Sequence, residues 1–415
     1  MYSGMVNRLK YQFVVKPGAD PSQIRLAYRG VTEVAVNEEE HFAVSTPLGG
    51  FHDEQPYAYQ QINGQEVPVD VAYALTQDTF HASRFTDSSD QLPVTSALAT
   101  ANRQAVTDDF PYTFQVGTYD PCLPLVLDPT ILIYCGYIGG SSDDYGNGIA
   151  VDSTGCAYVA GQTYSSPATF PETVGPYLSY SGSRDAFVAK VNAAGTALLY
   201  CGYIGGSGDD CGNGIAVDSA GCAYVIGATT SSEAQGFPVI VGPYLSYNFS
   251  SDAFVAKVTA DGTALAYCGY IGGAETDTGY GIAVDGAGNA YVTGSTYSSP
   301  ATFPANVGPD TSHNGNADAF VAKVLADGTA LAYCGYIGGS EYDEGYGIAV
   351  DSSNDAYITG RTLSSEAQGF PVTGGPDLDY NGGYCDAFVA KVMADGSGLV
   401  YCGYIGGSNA DYGRG

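Results

Sequence analysis

The chain has 415 residues, ample for a small domain followed by a longer array, and its 44 acidic and 14 basic residues give a net charge of −30. An acidic balance this strong excludes nucleic acid and anionic membrane as partners, because phosphate groups would be repelled. No apolar run approaches the ~20 residues a membrane helix requires. Residues 1–130 read as a small β-rich domain. Strands are predicted over Tyr11–Val15, Gln23–Tyr28, Val31–Val36, Phe42–Ser45, Tyr57–Ile62 and Val67–Leu75 from their β-branched and aromatic content, with Asn63-Gly64 as a tight hairpin turn. Strand-like sequence begins within about ten residues of Met1, without the charged and apolar regions of a signal peptide. Asp87–Asp109 is Ala-rich and polar and breaks the pattern, as a short helix or a mobile insertion. His41, His52 and His81 stand singly, with no Ser, Cys or carboxylate partner at a recognisable spacing, and read as surface or packing residues.

From residue 131 onward the texture changes. Cys-Gly-Tyr-Ile-Gly-Gly recurs from Cys135, Cys201, Cys268, Cys334 and Cys402, at spacings of 66, 67, 66 and 68 residues. A period this regular makes residues 131–415 an array of one supersecondary unit, with units near 141–206, 207–273, 274–339 and 340–407. Four short segments recur per unit: Gly-Ile-Ala-Val-Asp, Ala-Tyr-Val/Ile, Asp-Ala-Phe-Val-Ala-Lys-Val, and the stretch ending in Tyr-Cys-Gly-Tyr-Ile. All have strand composition, and turns such as Asp285-Gly-Ala-Gly-Asn289 have hairpin chemistry. Solenoid coils run about 20–30 residues, whereas a propeller blade carries four antiparallel strands. The expected fold is therefore all-β: a β-propeller of four full four-stranded blades after the small β-rich domain. Tyr164–Pro171 reappears at Tyr297–Pro304, and Ser231–Val239 at Ser364–Val372, each pair 133 residues apart, which marks duplication of a blade pair. The sequence stops at Asp411-Tyr-Gly-Arg-Gly415, where other units continue into another strand, so a longer protein and an open arc of blades are expected.

These segments resemble a known family. Gly-x-Gly-Ile-Ala-Val-Asp, Ala-Tyr-Val-x-Gly, Asp-Ala-Phe-Val-Ala-Lys and Tyr-x-x-Tyr-Ile-Gly-Gly, in that order in each unit from about residue 125 to 415, are similar to the bacterial and archaeal SBBP β-propeller repeat. Tyr11-Gln-Phe-Val-Val-Lys-Pro-Gly-Ala-Asp-Pro-Ser-Gln-Ile-Arg-Leu and Pro124-Leu-Val-Leu-Asp-Pro129 resemble the uncharacterised β-rich domain that often precedes those repeats. The resemblance implies a secreted or surface-attached protein of adhesin-like or unknown role and carries over no catalytic residues. Cys in Cys-Gly-Tyr-Ile departs from the Ser or Thr usual in the family.

The strongest chemical candidates are acidic. Asp143 with Asp144, Asp209 with Asp210, Asp277 and Asp343 sit in Gly-bounded turns before the first strand of each unit, where carboxylates and carbonyls offer oxygens to a hard cation such as calcium. The plainer reading is solvated turn residues, and the spacing matches neither an EF-hand nor a calcium-binding β-roll. Asp185, Asp252, Asp318 and Asp386 each precede a Lys by five residues, which puts the two side chains on opposite faces of a strand, so each must find a partner on a neighbouring strand or blade. Tyr177, Tyr180, Tyr244 and Tyr247 flank a Gly-Pro step in the long excursion between second and third strands and are candidate ligand-contact residues, with packing on the blade edge as the alternative. The repeating cysteines read as small buried hydrophobes, and with no CxxC pair and one His in the array a zinc site is not expected. No catalytic constellation appears. The expected function is a non-enzymatic extracellular or cell-surface scaffold for binding, adhesion or structure, with a protein or glycan partner. The alternative is a propeller enzyme acting on polysaccharide, a lyase or glycosidase.

Overall fold

The computed structural model describes residues 4–5, 8–9, 13–28, 31–36, 42–46, 49–53, 56–62, 64–75, 110–128 and 136–414. Asp87–Asp109, His41, His81 and Cys135 lie outside them. The chain divides into two compact units, Met1–Tyr137 with Ala194–Thr196, and Ile138–Ala193 with Ala197–Gly415.

In the first unit, Phe13–Val15, Leu125–Asp128, Tyr57–Ile62 and Gln65–Val69 form one antiparallel sheet in that order. Val71–Leu75, Phe110–Val116 and Arg25–Tyr28 form a second, and Glu33–Val36, Phe42–Thr46 and Gly49–Asp53 a third. Alternation along these strands sends Val44, Ala58, Tyr73, Tyr112, Phe114, Leu125 and Leu127 into one core around Phe42. The buried Gln60 amide acts as a surrogate peptide group. Its Nε2 donates to the Asp120 carbonyl and its Oε1 accepts from Asp120 N, both at 2.8 Å, which seats the turn before Leu125–Asp128.

The second unit is propeller-like, with four consecutive four-stranded antiparallel sheets and strands in chain order within each. The first blade is Asp144–Val151, Ala157–Thr163, Asp185–Val191 and Leu198–Ile204, and the second is Asp210–Val217, Ala223–Thr229, Asp252–Val258 and Leu265–Ile271. The third is Asp277–Val284, Ala290–Thr296, Asp318–Val324 and Leu331–Ile337, and the fourth Asp343–Val350, Ala356–Thr362, Asp386–Val392 and Leu399–Ile405. The first-to-second turn closes on Asp285, whose Oδ1 accepts from the Ala287 and Asn289 amides at 2.9 Å while Gly288 takes φ +84°. The fourth blade uses Asn354 at φ +67°, a residue that tolerates the left-handed region.

Blades pack face to face, so each core is shared. Tyr158, Val188 and Ile204 of the first blade meet Val225, Phe254, Cys268 and Tyr270 of the second. Inner blades are therefore covered on both faces, and their third strands are buried without a break from Asp252 to Ala256 and from Asp318 to Ala322. Cys201, Cys268, Cys334 and Cys402 are fully buried free thiols in these cores, as small hydrophobes should be. On the first blade, Ile149 is 67% exposed, while its counterpart Ile215 on the second is 8% exposed under the preceding blade.

The long excursions cap the blade edges. Cys201 N donates to Val174 O at 2.7 Å and Tyr203 N to Tyr177 O at 2.9 Å, and Cys268 and Tyr270 repeat both bonds with Val241 and Tyr244. This contact requires glycine on both sides: a Cβ on Gly242 would stand 2.6 Å from Gly269 Cα. The Gly-Pro step is thus an edge cover first.

Candidate functional site

Each first strand carries a β-bulge at its Gly-x-Gly, where the register slips between Gly146/Gly148, Gly212/Gly214, Gly279/Gly281 and Gly345/Gly347. The extra residue is forced out of the ladder and its side chain re-aimed. First strands of successive blades lie against each other here, and a Cβ on Gly281 would come 2.7 Å from Tyr346 O. In two blades the bulge residue only ties blades together: Asn147 Nδ2 donates to Gly212 O at 2.9 Å and Asn213 Nδ2 to Gly279 O at 2.8 Å. In the third and fourth it is Tyr280 and Tyr346, with ring centroids 5.4 Å apart.

Around these rings stand residues that the other blades lack. Glu344 and Arg361 are cross-strand partners and form an ion pair, Arg361 Nε donating to Glu344 Oε2, and the Tyr346 hydroxyl donates to the same oxygen. The Arg361 guanidinium lies 5.7 Å from the Tyr412 ring centroid. Nearby, Tyr297 and Tyr342 meet edge to face at 6.3 Å, and each is 40% exposed. Burial first, and then the Glu344 carboxylate, push the Tyr346 and Tyr280 hydroxyls up. Against burial, which works the other way, Glu344 holds Arg361 firmly charged. Tyr346 is a donor to Glu344, and that carboxylate is shared between a cation and a hydroxyl.

The acidic turns divide in two. Asp210 is fully buried and accepts from Gly206 N at 2.7 Å, Ser231 Oγ at 3.0 Å and the Thr229 hydroxyl; Asp343 repeats this with Gly339, Ser364 and Thr362. Asp277 accepts from Gly273 N and Ser298 Oγ, and the half-buried Asp144 from Gly140 N, Thr163 and Ser165. Asp143 and Asp209 face solvent, and Asp209 accepts from Ser183. The residues are spread one turn per blade, and among the described residues no three His, Cys, Asp or Glu side chains gather as a metal cluster.

The tyrosines separate similarly. Tyr180 and Tyr247 pack on Tyr203 and Tyr270 at 5.9 Å and donate to Ser183 O and Ser250 O, so they belong to the edge cover. Tyr177 and Tyr244 remain 42% and 43% exposed. The repeating lysines find their partners on the first-to-second turn. Lys257 Nζ lies 3.6 Å from Asp218 and 4.7 Å above the Tyr224 ring, whose hydroxyl donates to that aspartate at 2.9 Å, and every blade repeats the trio. Sequence reasoning missed Arg361, Tyr280 and Tyr346, although the signal was present in the departure of the third and fourth blades from Asn at Gly-x-Gly.

The order of landmarks now stands with four-stranded blades beneath it, and residues 133–167, 269–300 and 335–365 each match the SBBP β-propeller repeat. The array carries SBBP β-propeller repeats at these three places. Residues 1–130 match a domain of unknown function (DUF7948). No curated protein matches the chain. Among solved structures, a protein of unknown function from Dyadobacter fermentans DSM 18053 is 12% identical with a TM-score of 0.31, over 90% of this chain and 98% of the other. The NanB sialidase from Streptococcus pneumoniae is 8% identical with a TM-score of 0.21, over 95% of this chain and 70% of its own. An ACO/RPE65 chimera is 8% identical with a TM-score of 0.26, over 96% of this chain and 98% of its own. At such scores none of these bears on what the SBBP array does.

Proposed function

We propose that the chain is a non-enzymatic extracellular or cell-surface scaffold, in which SBBP blades hold blade-specific residues for binding a protein or glycan. The observation that carries this reading is the state of the ionisable groups. The repeating lysines are held in ion pairs, the repeating aspartates are buried or bonded within turns, and Glu344 and Arg361 neutralise one another near exposed Tyr297 and Tyr342. Most glycosidases place two free carboxyl groups on one sugar ring, and the close aspartate pairs of the array are buried where no sugar reaches. Edge-to-face rings near a charged pair offer the amphipathic surface that polar ligands favour. The extracellular placement rests on the SBBP resemblance.

The test is titration of the full chain with a panel of soluble polysaccharides and oligosaccharides, followed by tyrosine fluorescence and by release of reducing or unsaturated ends. Saturable binding without product, weakened at least tenfold in the double variant Tyr297→Ala/Tyr342→Ala, is expected for a glycan partner. Turnover of any of these substrates would overturn the non-enzymatic reading.

A further inference from the structure

At each blade junction the aspartate that opens a third strand meets the aspartate that opens the next blade's first strand. Asp185 and Asp210, Asp252 and Asp277, and Asp318 and Asp343 are all fully buried. The first two oxygens converge: the point a Gly205 Cβ would occupy is 2.8 Å from Asp185 Oδ1 and 2.9 Å from Asp210 Oδ2. In the first and third pairs the two members are not alike, whereas in the second Asp277 accepts two donors on Oδ2 and its own buried Oδ1 has no partner. Asp210 and Asp343 each accept three donors, as an ionised carboxylate does. Asp185, Asp252 and Asp318 each accept one backbone amide on Oδ2, from Ser181, Asn248 and Asn314, and their buried Oδ1 has no partner. The lysines of all four blades pair with Asp152, Asp218, Asp285 and Asp351, and Arg184, the cation beside the first pair, lies 3.9 Å from the solvent-facing Asp209. A buried oxygen with no donor, beside a second carboxylate, fits a carboxylic acid whose hydroxyl supplies the missing hydrogen bond.

We propose that Asp185, Asp252 and Asp318 are neutral acids whose Oδ1–H is directed at the ionised aspartate of the following blade, so that protons hold the blade junctions together and their withdrawal loosens the array. Around Asp252 the facing groups are Asp277, Glu233, Tyr247 and Tyr270, with Asp210 acting on the same two phenols, and none of them is a cation. Burial, and then the neighbouring carboxylate, push Asp252 up to about 8; burial does the same for Asp185 and Asp318, to about 7. Asp277 is pushed up by burial only to about 6, so it releases its proton first. A raised pKa in the folded state means the stabilisation is complete below about pH 4, the range where an unfolded aspartate titrates, and drains as pH rises to about 8. On deprotonation the Oδ1 proton leaves to solvent and two carboxylates face each other without a donor.

The experiment is a set of thermal melts of the full chain between pH 5 and 9, for wild type, Asp252→Asn and Asp277→Asn, each with added calcium and with chelator. Asn at 252 mimics the neutral acid: its carbonyl accepts from Asn248 and its amide donates toward Asp277. The wild-type midpoint should fall by about 5 °C or more from pH 5.5 to 8.5. Asp252→Asn should melt above wild type at pH 8.5 and lose part of the slope, whereas Asp277→Asn should melt lower than wild type above about pH 6, where Asp277 is the ionised acceptor. A carboxylic-acid carbonyl band in the infrared spectrum of wild type, present at pH 6 and gone at pH 9, reads the same proton without any variant. Equal destabilisation of Asp252→Asn at pH 5.5 and 8.5, absence of that band, or a calcium-dependent rise in wild type lost in Asp252→Asn would each overturn the proposal, the last by showing a cation in the proton's place.

Discussion

Replacing Lys323 by Met tests whether the lysine trio stabilises a blade. Lys323 Nζ lies 3.9 Å from Asp285 Oδ2 and 4.8 Å above the Tyr291 ring, with side chains 13% and 2% exposed for the ion pair. At an effective dielectric of about 20, charges at that separation attract by about 4 kcal/mol, and desolvation of the lysine offsets much of this. Asp285 keeps four donors after the change, the Ala287 and Asn289 amides, Asn289 Nδ2 and the Tyr291 hydroxyl, which lowers the cost of leaving its charge buried. The cation–π contact adds about 0.5–1 kcal/mol, while methionine retains most of the apolar stem. The net expected loss is about 2 kcal/mol. Arg184 provides the control: its pair with Asp209 has the same 3.9 Å separation, but the side chains are 28% and 49% exposed. Arg184→Met should cost no more than about 0.5 kcal/mol. Urea unfolding followed by tyrosine fluorescence measures both. If the two variants lose equal stability, burial does not decide the strength of these pairs and the reasoning fails.

Three further outcomes follow from the geometry. Gly294→Ala would place a Cβ 1.9 Å from Thr278 O and 2.6 Å from the Phe320 ring, so the chain should lose about 3 kcal/mol or fold poorly, whereas Gly64→Ala, with nothing within 4 Å, meets only the strain of φ +80° and should cost about 1 kcal/mol in the same unfolding assay. Thiol labelling of the native chain should modify the exposed Cys122 quickly and leave Cys201 and Cys402 untouched until denaturant is added, since burial pushes both thiols up to about 12. Although burial pushes the other way, donors led by Asn289 hold Asp285 below the usual carboxylate range, so its contribution is present at neutral pH and is lost on acidification below about pH 4; Asp285→Asn should flatten that acid limb in pH-resolved melts.

The array was legible because its landmarks are local. Each strand announces itself within seven or eight residues, and the period orders the strands without knowledge of any long-range contact. The first unit was less open: Gly49–Asp53 lacks β-branched residues, and Phe110–Val116 contains Pro111, so neither carries an ordinary strand signal. Asp209 and Asp210 are adjacent in sequence, yet one faces solvent and the other is sealed under the next turn, a distinction made by packing alone. The five-residue offset placed each strand aspartate and its lysine on opposite faces, but only the fold names Asp218 as the partner of Lys257 and Asp277 as the neighbour of Asp252. The Glu344–Arg361 group was visible only as a departure from repetition, which a search for recurring motifs passes over.

Because each of the four described blades draws all four strands from one continuous stretch and carries its own Gly-Pro edge cover, none of them borrows a strand from another described part of the chain. A gene segment encoding one blade can therefore be copied or dropped as a whole, with each copy bringing the cover for its own outer edge. The 133-residue echo of paired blades is what such copying leaves behind. Array length becomes a quantity that recombination can change in steps, and the residues at Gly-x-Gly are then free to diverge blade by blade.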